Sequence, residues 1–461
     1  MITKFVNRKD ELGFLERKYK EKSAQLIIIY GRRRVGKTEL LKNFFRGKEH
    51  VYFLSSNMAI NEQVGQFMTC IYDALADETV LDLKPNFETI FKYVAGIEKR
   101  LVVVIDEFQY LIDANRTVVS VFQRIWDLYL NGSNIFLILL GSSIGMIENE
   151  VMGYKSPLYG RRTGQWRVEA LDFNALRSFF PQYSVEERIQ TYSILGGIPY
   201  YLQQFDDSND VSTNIKKKII TKGEVLYEEP EFLLREELRE PRIYFTILKA
   251  ISYGNSKFGH IMNASGLNKN TLTRYLDILG KLHIIRRELP ITEKNPERSK
   301  RSIYKIADPF FRFWFRFVLP NMSRIEEDAE CAFDEKIRPF IAQFVSYSFE
   351  EVCMEFLVQL NKQNGLPFRF SRVGSWWLRD NEIDIVALND DTKEILFAEC
   401  KWQNKEVGIK VYEDLKEKLG LVNWYNEERK EYFALFSKAG FTSGFNKDGL
   451  LLFDLADIDD V

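Results

Sequence analysis

The chain predicts an α/β protein whose first half is a parallel sheet covered by helices. Three observations predict it. The runs Leu26-Ile27-Ile28-Ile29-Tyr30, Leu101-Val102-Val103-Val104-Ile105 and Ile135-Phe136-Leu137-Ile138-Leu139-Leu140 are unbroken apolar segments, as in strands buried on both faces. Helix-like stretches separate them, the alternation that builds parallel sheets. The first run ends in a glycine-containing stretch that leads straight into a helix-like segment.

Bulk properties bound the rest. At 461 residues the chain is too long for one core, so about three domains are expected. A hydrophobic fraction of 45% and a charged fraction of 28% fit a soluble globular protein. The net charge of −2 offers no basic field over the whole chain, so a nucleic-acid surface must be local. Cys70, Cys331, Cys353 and Cys400 are scattered and form no CxxC pair, which fits a reducing cytoplasm rather than a zinc ribbon or disulfide frame. Three histidines leave little scope for histidine clusters. No apolar signal core opens the chain, and no run approaches the ~18 apolar residues of a membrane helix. No membrane partner is therefore expected. The greasiest stretch, 310–319, is broken by Arg312 and Arg316 and reads as a buried helix. There is no repeat or low-complexity linker.

In chain order, Phe5-Val6-Asn7-Arg8-Lys9-Asp10-Glu11-Leu12 opens an amphipathic helix before the first strand. The stretch Gly31-Arg32-Arg33-Arg34-Val35-Gly36-Lys37-Thr38 follows that strand. Strand, glycine loop and helix in this order form the setting of a phosphate-binding loop. Its glycines let backbone N–H groups close on a phosphate chain, and the helix adds its positive end. Lys37 would reach the β- and γ-phosphates of ATP, and Thr38 would hold Mg²⁺. The second strand ends in Asp106 and Glu107, at the carboxyl edge where such sheets bind ligands. Asp106 would hold Mg²⁺, and Glu107 would polarise the attacking water. The third strand ends in Gly141-Ser142-Ser143, where Ser142 could sense the γ-phosphate. Arg161 and Arg162 sit on a loop. They read equally as a clamp on transferring-phosphoryl charge and as a solvated basic turn. Gly196-Gly197-Ile198-Pro199-Tyr200-Tyr201-Leu202 reads as a tight helix–helix junction.

Taken together, these segments resemble the archaeal-type ATPases of the AAA+/STAND branch of P-loop proteins. The resemblance covers about the first half. It implies an AAA+-like P-loop sheet followed by a helical lid, with Asn7, Arg8 and Pro199 near the adenine. The triple arginine Arg32-Arg33-Arg34 is similar to that family.

In the middle, helical spacing over 244–251, 258–262 and 270–279 is followed by the strand-like runs 284–289 and 302–306 around a polar loop. Three helices and a wing describe a winged helix-turn-helix. From Lys257 to Lys305 there are 11 Lys/Arg and 4 Asp/Glu, a net of +7 by difference. That excess can neutralise DNA phosphates, with Asn270, Thr271, Thr273 and Arg274 facing the groove. A winged helix used only for packing would carry the same pattern.

The last third holds a second set of acids. Glu350 lies on a long helix-like stretch, Asp384 begins a strand, and Glu399 and Lys401 share one face of the next. Two carboxylates at one point bind Mg²⁺ and generate a metal-bound hydroxide. Lys401 would orient that water or stabilise the phosphorane charge, and Glu350 on the packed helix can complete the metal shell. The spacing Asp-x₁₄-Glu-x-Lys, with Gly374-x-Trp376-Trp377 upstream, resembles the restriction-endonuclease-like PD-(D/E)xK fold. More narrowly, it is similar to the domain of unknown function fused to archaeal-type ATPases. Ile383 stands where the motif has proline.

The combined expectation is four segments: 1–170, a P-loop ATPase core; 171–240, a helical lid; 241–320, a winged helix; and 321–461, an α/β endonuclease-like domain. ATP and Mg²⁺ are the expected cofactors, with Mn²⁺ as an alternative ion at the second site. DNA is the expected partner, and a homo-oligomer is left open. The rival expectation is a nucleotide-gated switch or scaffold whose last domain cuts nothing.

Overall fold

The computed structural model describes residues 5–238, 241–445 and 449–460. The chain divides into two compact units. One holds 1–171 with 198–200, and the other holds 172–197 with 201–461.

The first unit is built on five strands, β1 (Gln25–Tyr30), β2 (His50–Leu54), β3 (Leu101–Asp106), β4 (Ile135–Gly141) and β5 (Gly164–Arg167), in the order β2-β3-β4-β1-β5. All are parallel. Every residue of β1, β3 and β4 is buried, because helices cover both faces. On one face Leu26, Ile28, Val103, Ile105, Leu137 and Leu139 form a core with Phe67, Phe91 and Phe122 from helices. On the other, Phe136 packs with Tyr19 and Phe44. β1 lies between β4 and β5, so the loop that follows it opens inside the sheet's carboxyl edge rather than at its rim.

In the second unit the helix Val185–Leu195 is started by a capping box between Ser184 and Glu187. It ends at Gly196, whose φ of +64° favours glycine; an added Cβ would also sit 3.0 Å from Pro309 Cδ. Beyond the helix Val225–Glu237 come three more, Pro241–Ser252, Phe258–Ser265 and Lys269–Lys281. Asn268 caps the third by accepting from the Thr271 N–H. Then come the antiparallel strands β6 (Ile285–Glu288) and β7 (Ile303–Ile306). The run 310–319 is helical and buried as its composition requires: Phe310, Phe311, Phe313, Trp314, Phe315, Phe317 and Val318 all lie in the interior.

A second five-stranded sheet lies further along the chain: β8 (Arg372–Leu378), β9 (Asn381–Asn389), β10 (Glu394–Lys401), β11 (Lys430–Ser437) and β12 (Leu450–Phe453), with the helix Leu455–Asp460 after it. Its order is β12-β11-β10-β9-β8, with β8, β9 and β10 antiparallel and β10, β11 and β12 parallel. The helix Arg338–Gln363 covers one face through Val345, Phe349, Val352 and Phe356. The helix Ile409–Lys418 covers the other through Tyr412 and Leu415.

Within this unit the Glu355 carboxylate accepts from the Phe173 N–H at 2.9 Å and the Tyr192 hydroxyl at 2.8 Å. Burial pushes that carboxyl up to about 7, against the bonds from Phe173 and Tyr192. A raised carboxyl pKa favours the folded state while neutral and loses that advantage as pH rises through the folded value. Stability of this unit is therefore expected to fall by about 1–3 kcal/mol between pH 5 and 8. Chemical denaturation of Glu355→Gln should show a flatter pH profile over that window.

Candidate functional site

β1 delivers the loop 31–36, and the helix Lys37–Phe44 starts directly after it. Gly31 has φ +154°, and an added Cβ would stand 2.3 Å from the Val168 carbonyl oxygen. No side chain fits there. Lys37 is buried and folds back over the loop, donating through Nζ to the carbonyls of Gly31 and Arg32, both at 2.9 Å. Arg8 Nη2 donates to the Val35 carbonyl at 2.8 Å, while its Nη1 pairs with Glu11 at 2.9 Å. Asn7 and Arg8 both take left-handed φ values, 58° and 77°, a costly backbone for residues with side chains. Arg33 Nη2 donates to the Tyr110 hydroxyl at 3.1 Å. The Arg34 guanidinium lies 4.1 Å over the Tyr200 ring. Pro199, next to Tyr200, comes within 3.9 Å of where a Gly36 Cβ would be. Arg8, the loop and Pro199 thus meet around one point.

β3 brings the acids. Thr38 Oγ1 donates to Asp106 Oδ2 at 3.0 Å, and the Tyr52 hydroxyl donates to the same oxygen at 2.5 Å. Burial pushes the Asp106 carboxyl up, against the hydroxyl bonds that hold it down. Glu107 has φ 54°. Its carboxylate accepts from Ser142 Oγ at 2.5 Å and from Gln109 Nε2, and Gln109 Nε2 also meets Ser142 Oγ at 2.9 Å. Tyr52 and Gln109 were not expected in this cluster. Tyr52 is signalled only by a polar-tipped residue in the strand that pairs with β3. Gln109 lies two residues past Glu107, where helical and strand readings of the sequence diverge. Arg161 is held by Asp127 through Nε at 2.8 Å and by the Pro157 carbonyl through Nη1 at 2.9 Å.

In the second sheet Asp384 stands one register step beyond the Ile385–Ala398 pair, opposite Glu399. Asp384 Oδ2 accepts from the Cys400 N–H at 2.8 Å. Glu399 accepts from Lys401 Nζ at 3.0 Å and from Lys418 Nζ. Burial first, and the Glu399 charge second, push Asp384 up to about 7. Burial would raise Glu399 too, but Lys401 and then Lys418 hold it below the usual carboxylate range. Glu350, on the helix Arg338–Gln363, is raised by burial and then by Asp384. Lys418 was missed from sequence, because it lies 17 residues past Lys401 and only the packing of its helix on the sheet brings it to Glu399. Among the described residues no group of three or more His, Cys, Asp or Glu is arranged to hold a metal ion. The expected shell completed by Glu350 is therefore not preformed: Glu399 is engaged by two ammonium groups and Asp384 by a backbone N–H.

The expected wing is not free in solvent. Ile291 N donates to the Ser375 carbonyl at 3.0 Å, Arg372 Nη1 to the Ile291 carbonyl at 3.1 Å, and Trp377 Nε1 to the Arg301 carbonyl at 2.9 Å. Its tip lies along the edge strand β8. The face of the third helix stays open: Asn270, Thr273 and Arg274 are exposed and Thr271 is half-buried. Among the described residues no helix is long and apolar enough to cross a membrane.

Residues 5–205 match the model of an ATPase domain found predominantly in Archaea, and residues 314–413 match that of archaeal and bacterial proteins of unknown function. An uncharacterized protein of Methanocaldococcus jannaschii is 40% identical over 460 residues, covering 98% of this chain and 99% of that one. An uncharacterized ATP-binding protein of the same organism is 65% identical over 48 residues, 10% of this chain and 81% of that protein. Among solved structures, a Walker-type ATPase of Pyrococcus abyssi aligns with a TM-score of 0.52 at 23% identity, over 68% of this chain and 96% of that one. This likeness concerns the fold.

Proposed function

The chain belongs to the family that joins an ATPase domain found predominantly in Archaea to a carboxyl-terminal domain of unknown function, and we propose that it is a Mg²⁺-dependent ATP hydrolase that contacts DNA and cleaves phosphodiester bonds with its last domain. One observation carries the ATPase reading: Lys37, Thr38, Asp106 and Glu107 converge where β1 and β3 end. The donor set fits the ligand. A hydroxyl and a carboxylate 3.0 Å apart suit Mg²⁺, and a buried ammonium beside a glycine loop suits phosphate. Thr38 and Asp106 would hold Mg²⁺, which would supply positive charge against the bound phosphates. Glu107 takes the proton of the attacking water, and Ser142 and Gln109 hold its carboxylate in place. Asn7, Arg8 and Pro199 frame the adenine. The 65%-identical protein described as ATP-binding supports the same nucleotide.

The domain reading stays 1–170, 171–240, 241–320 and 321–461. The three helices with the β6–β7 pair act as a winged helix whose exposed Asn270, Thr273 and Arg274 meet DNA. The last domain is a restriction-endonuclease-like fold. Its donors fit Mg²⁺ or Mn²⁺, since such ions take one or two carboxylates and complete the shell with water and substrate phosphate. Asp384 and Glu399 would be those carboxylates, and an ion held there would supply an activated water. Lys401 stabilises charge on the phosphate, and Lys418 balances Glu399 until substrate enters.

The double engagement of Glu399 favours a second reading, a nucleotide-gated switch whose last domain binds without cutting. Phosphate release and plasmid nicking by the full chain separate the two. Expected are Mg²⁺-dependent ATP turnover and nicking in Mn²⁺ that EDTA stops. Turnover with no cleavage of duplex, single-stranded DNA or RNA would select the switch.

A further inference from the structure

A cavity of about 570 Å³ opens in the second unit, within the range of ligand sites. β7, the helical run 310–319, the helix Arg338–Gln363 and the β8–β9 turn supply its walls. Three large aromatic side chains line it yet remain open to solvent: Tyr253 at 46%, Phe340 at 44% and Tyr347 at 56%. Rings of this size are ordinarily buried, so three on one cavity form a surface for a flat apolar partner. Cations sit among them. Arg316 lies 4.2 Å over the Tyr253 ring. Arg312 donates to Ser348 Oγ at 2.5 Å and lies 3.7 Å from Glu351, while its buried Nε–H meets no protein acceptor. Lys257 and Lys305 also line the cavity, Lys305 paired with Glu288 at 3.0 Å. Glu350 and Asp384 line the same cavity.

Aromatic faces beside guanidinium groups are the chemistry of an unstacked base and its phosphates. A paired base presents only its edge, and extracting it from a duplex costs unstacking energy. We propose that this cavity receives one unpaired nucleotide of a single strand, with the base on the rings of Phe340 and Tyr347 and the phosphates on Arg312 and Arg316. Delivery of the next phosphodiester to Asp384 rests on the nuclease reading; the binding itself does not.

The test uses the full chain in EDTA at low salt. Fluorescence anisotropy compares a labelled oligothymidylate with a hairpin duplex of equal length. Phe340→Ala with Tyr347→Ala removes two exposed rings and should leave the core intact. The expected result is a loss of at least fivefold for the single strand, with duplex affinity within twofold of wild type. A smaller loss, or equal losses on both probes, overturns the proposal. So does thymidine monophosphate displacing the strand at equal concentration, which would assign the cavity to a free nucleotide. Arg316→Gln should weaken single-strand binding and flatten its salt dependence; an unchanged slope counts against the phosphate contact. Nicking in Mn²⁺ is read separately. Strand-selective binding without nicking keeps the cavity and removes the nuclease, whereas nicking by a double variant with unaltered binding does the reverse.

Discussion

Replacing Lys37 by alanine is expected to lower ATP turnover by about 10³-fold, a loss of about 4 kcal/mol of transition-state stabilisation. The expectation follows from position. Lys37 is the first residue of its helix and is buried, and its ammonium is held by the carbonyls of Gly31 and Arg32. Those carbonyls keep the charge at the mouth of the loop before any phosphate arrives, so little side-chain entropy is lost on binding. Arginine should not rescue, because its planar fork cannot follow the compact path of the lysine stem. Phosphate release measures the effect, and binding of a fluorescent ATP analogue separates lost affinity from lost chemistry. Far-ultraviolet circular dichroism should stay unchanged, since the helix is also anchored by Leu40, Leu41 and Phe44 in the core. Turnover within threefold of wild type would remove the loop from the nucleotide site. The same variant tests communication between the two sites: unchanged nicking would mean that they work independently.

The parallel sheet was legible because β1, β3 and β4 are buried on both faces and need apolar residues at every position. The loop and its two acids were legible because they lie next to those strands in sequence. What sequence did not reveal depends on sheet order and on crossing helices. Tyr52 reaches Asp106 only because β2 pairs with β3. Lys418 reaches Glu399 only because the helix Ile409–Lys418 packs across the second sheet. The wing read as a polar loop between two strands. It also contains Pro290 and Ile291, and an apolar side chain in a polar loop needs a surface to cover it. The Ile291 side chain packs against Gly374, where an added Cβ would come within 3.3 Å of it. Arg312 and Arg316 read as interruptions of an apolar helix, and they place their charges at a cavity instead.

Asp384→Asn is expected to abolish metal-dependent nicking, by at least about 10³-fold, while the protein becomes as stable as wild type or slightly more so. The two effects have one cause. Asp384 is half-buried opposite Glu399, and desolvation together with the Glu399 charge pushes its carboxyl up to about 7. Two carboxylates held this close repel, and an ion or a shared proton relieves the repulsion. Asparagine keeps an oxygen for the Cys400 N–H and has nearly the same shape, so the β9–β10 pairing persists. It removes the charge, so Glu399 keeps its bonds to Lys401 and Lys418 without a rival carboxylate. An ion then finds one free carboxylate fewer, and Glu399 stays closed by its two lysines. A variant that loses all activity and melts no lower than wild type points to a site that sacrifices stability for chemistry. Damage to the fold would lower both together. Plasmid nicking in Mn²⁺ and thermal melting of the same preparation decide it. Nicking within tenfold of wild type would remove Asp384 from the cleaving site, and with it the nuclease reading of the last domain.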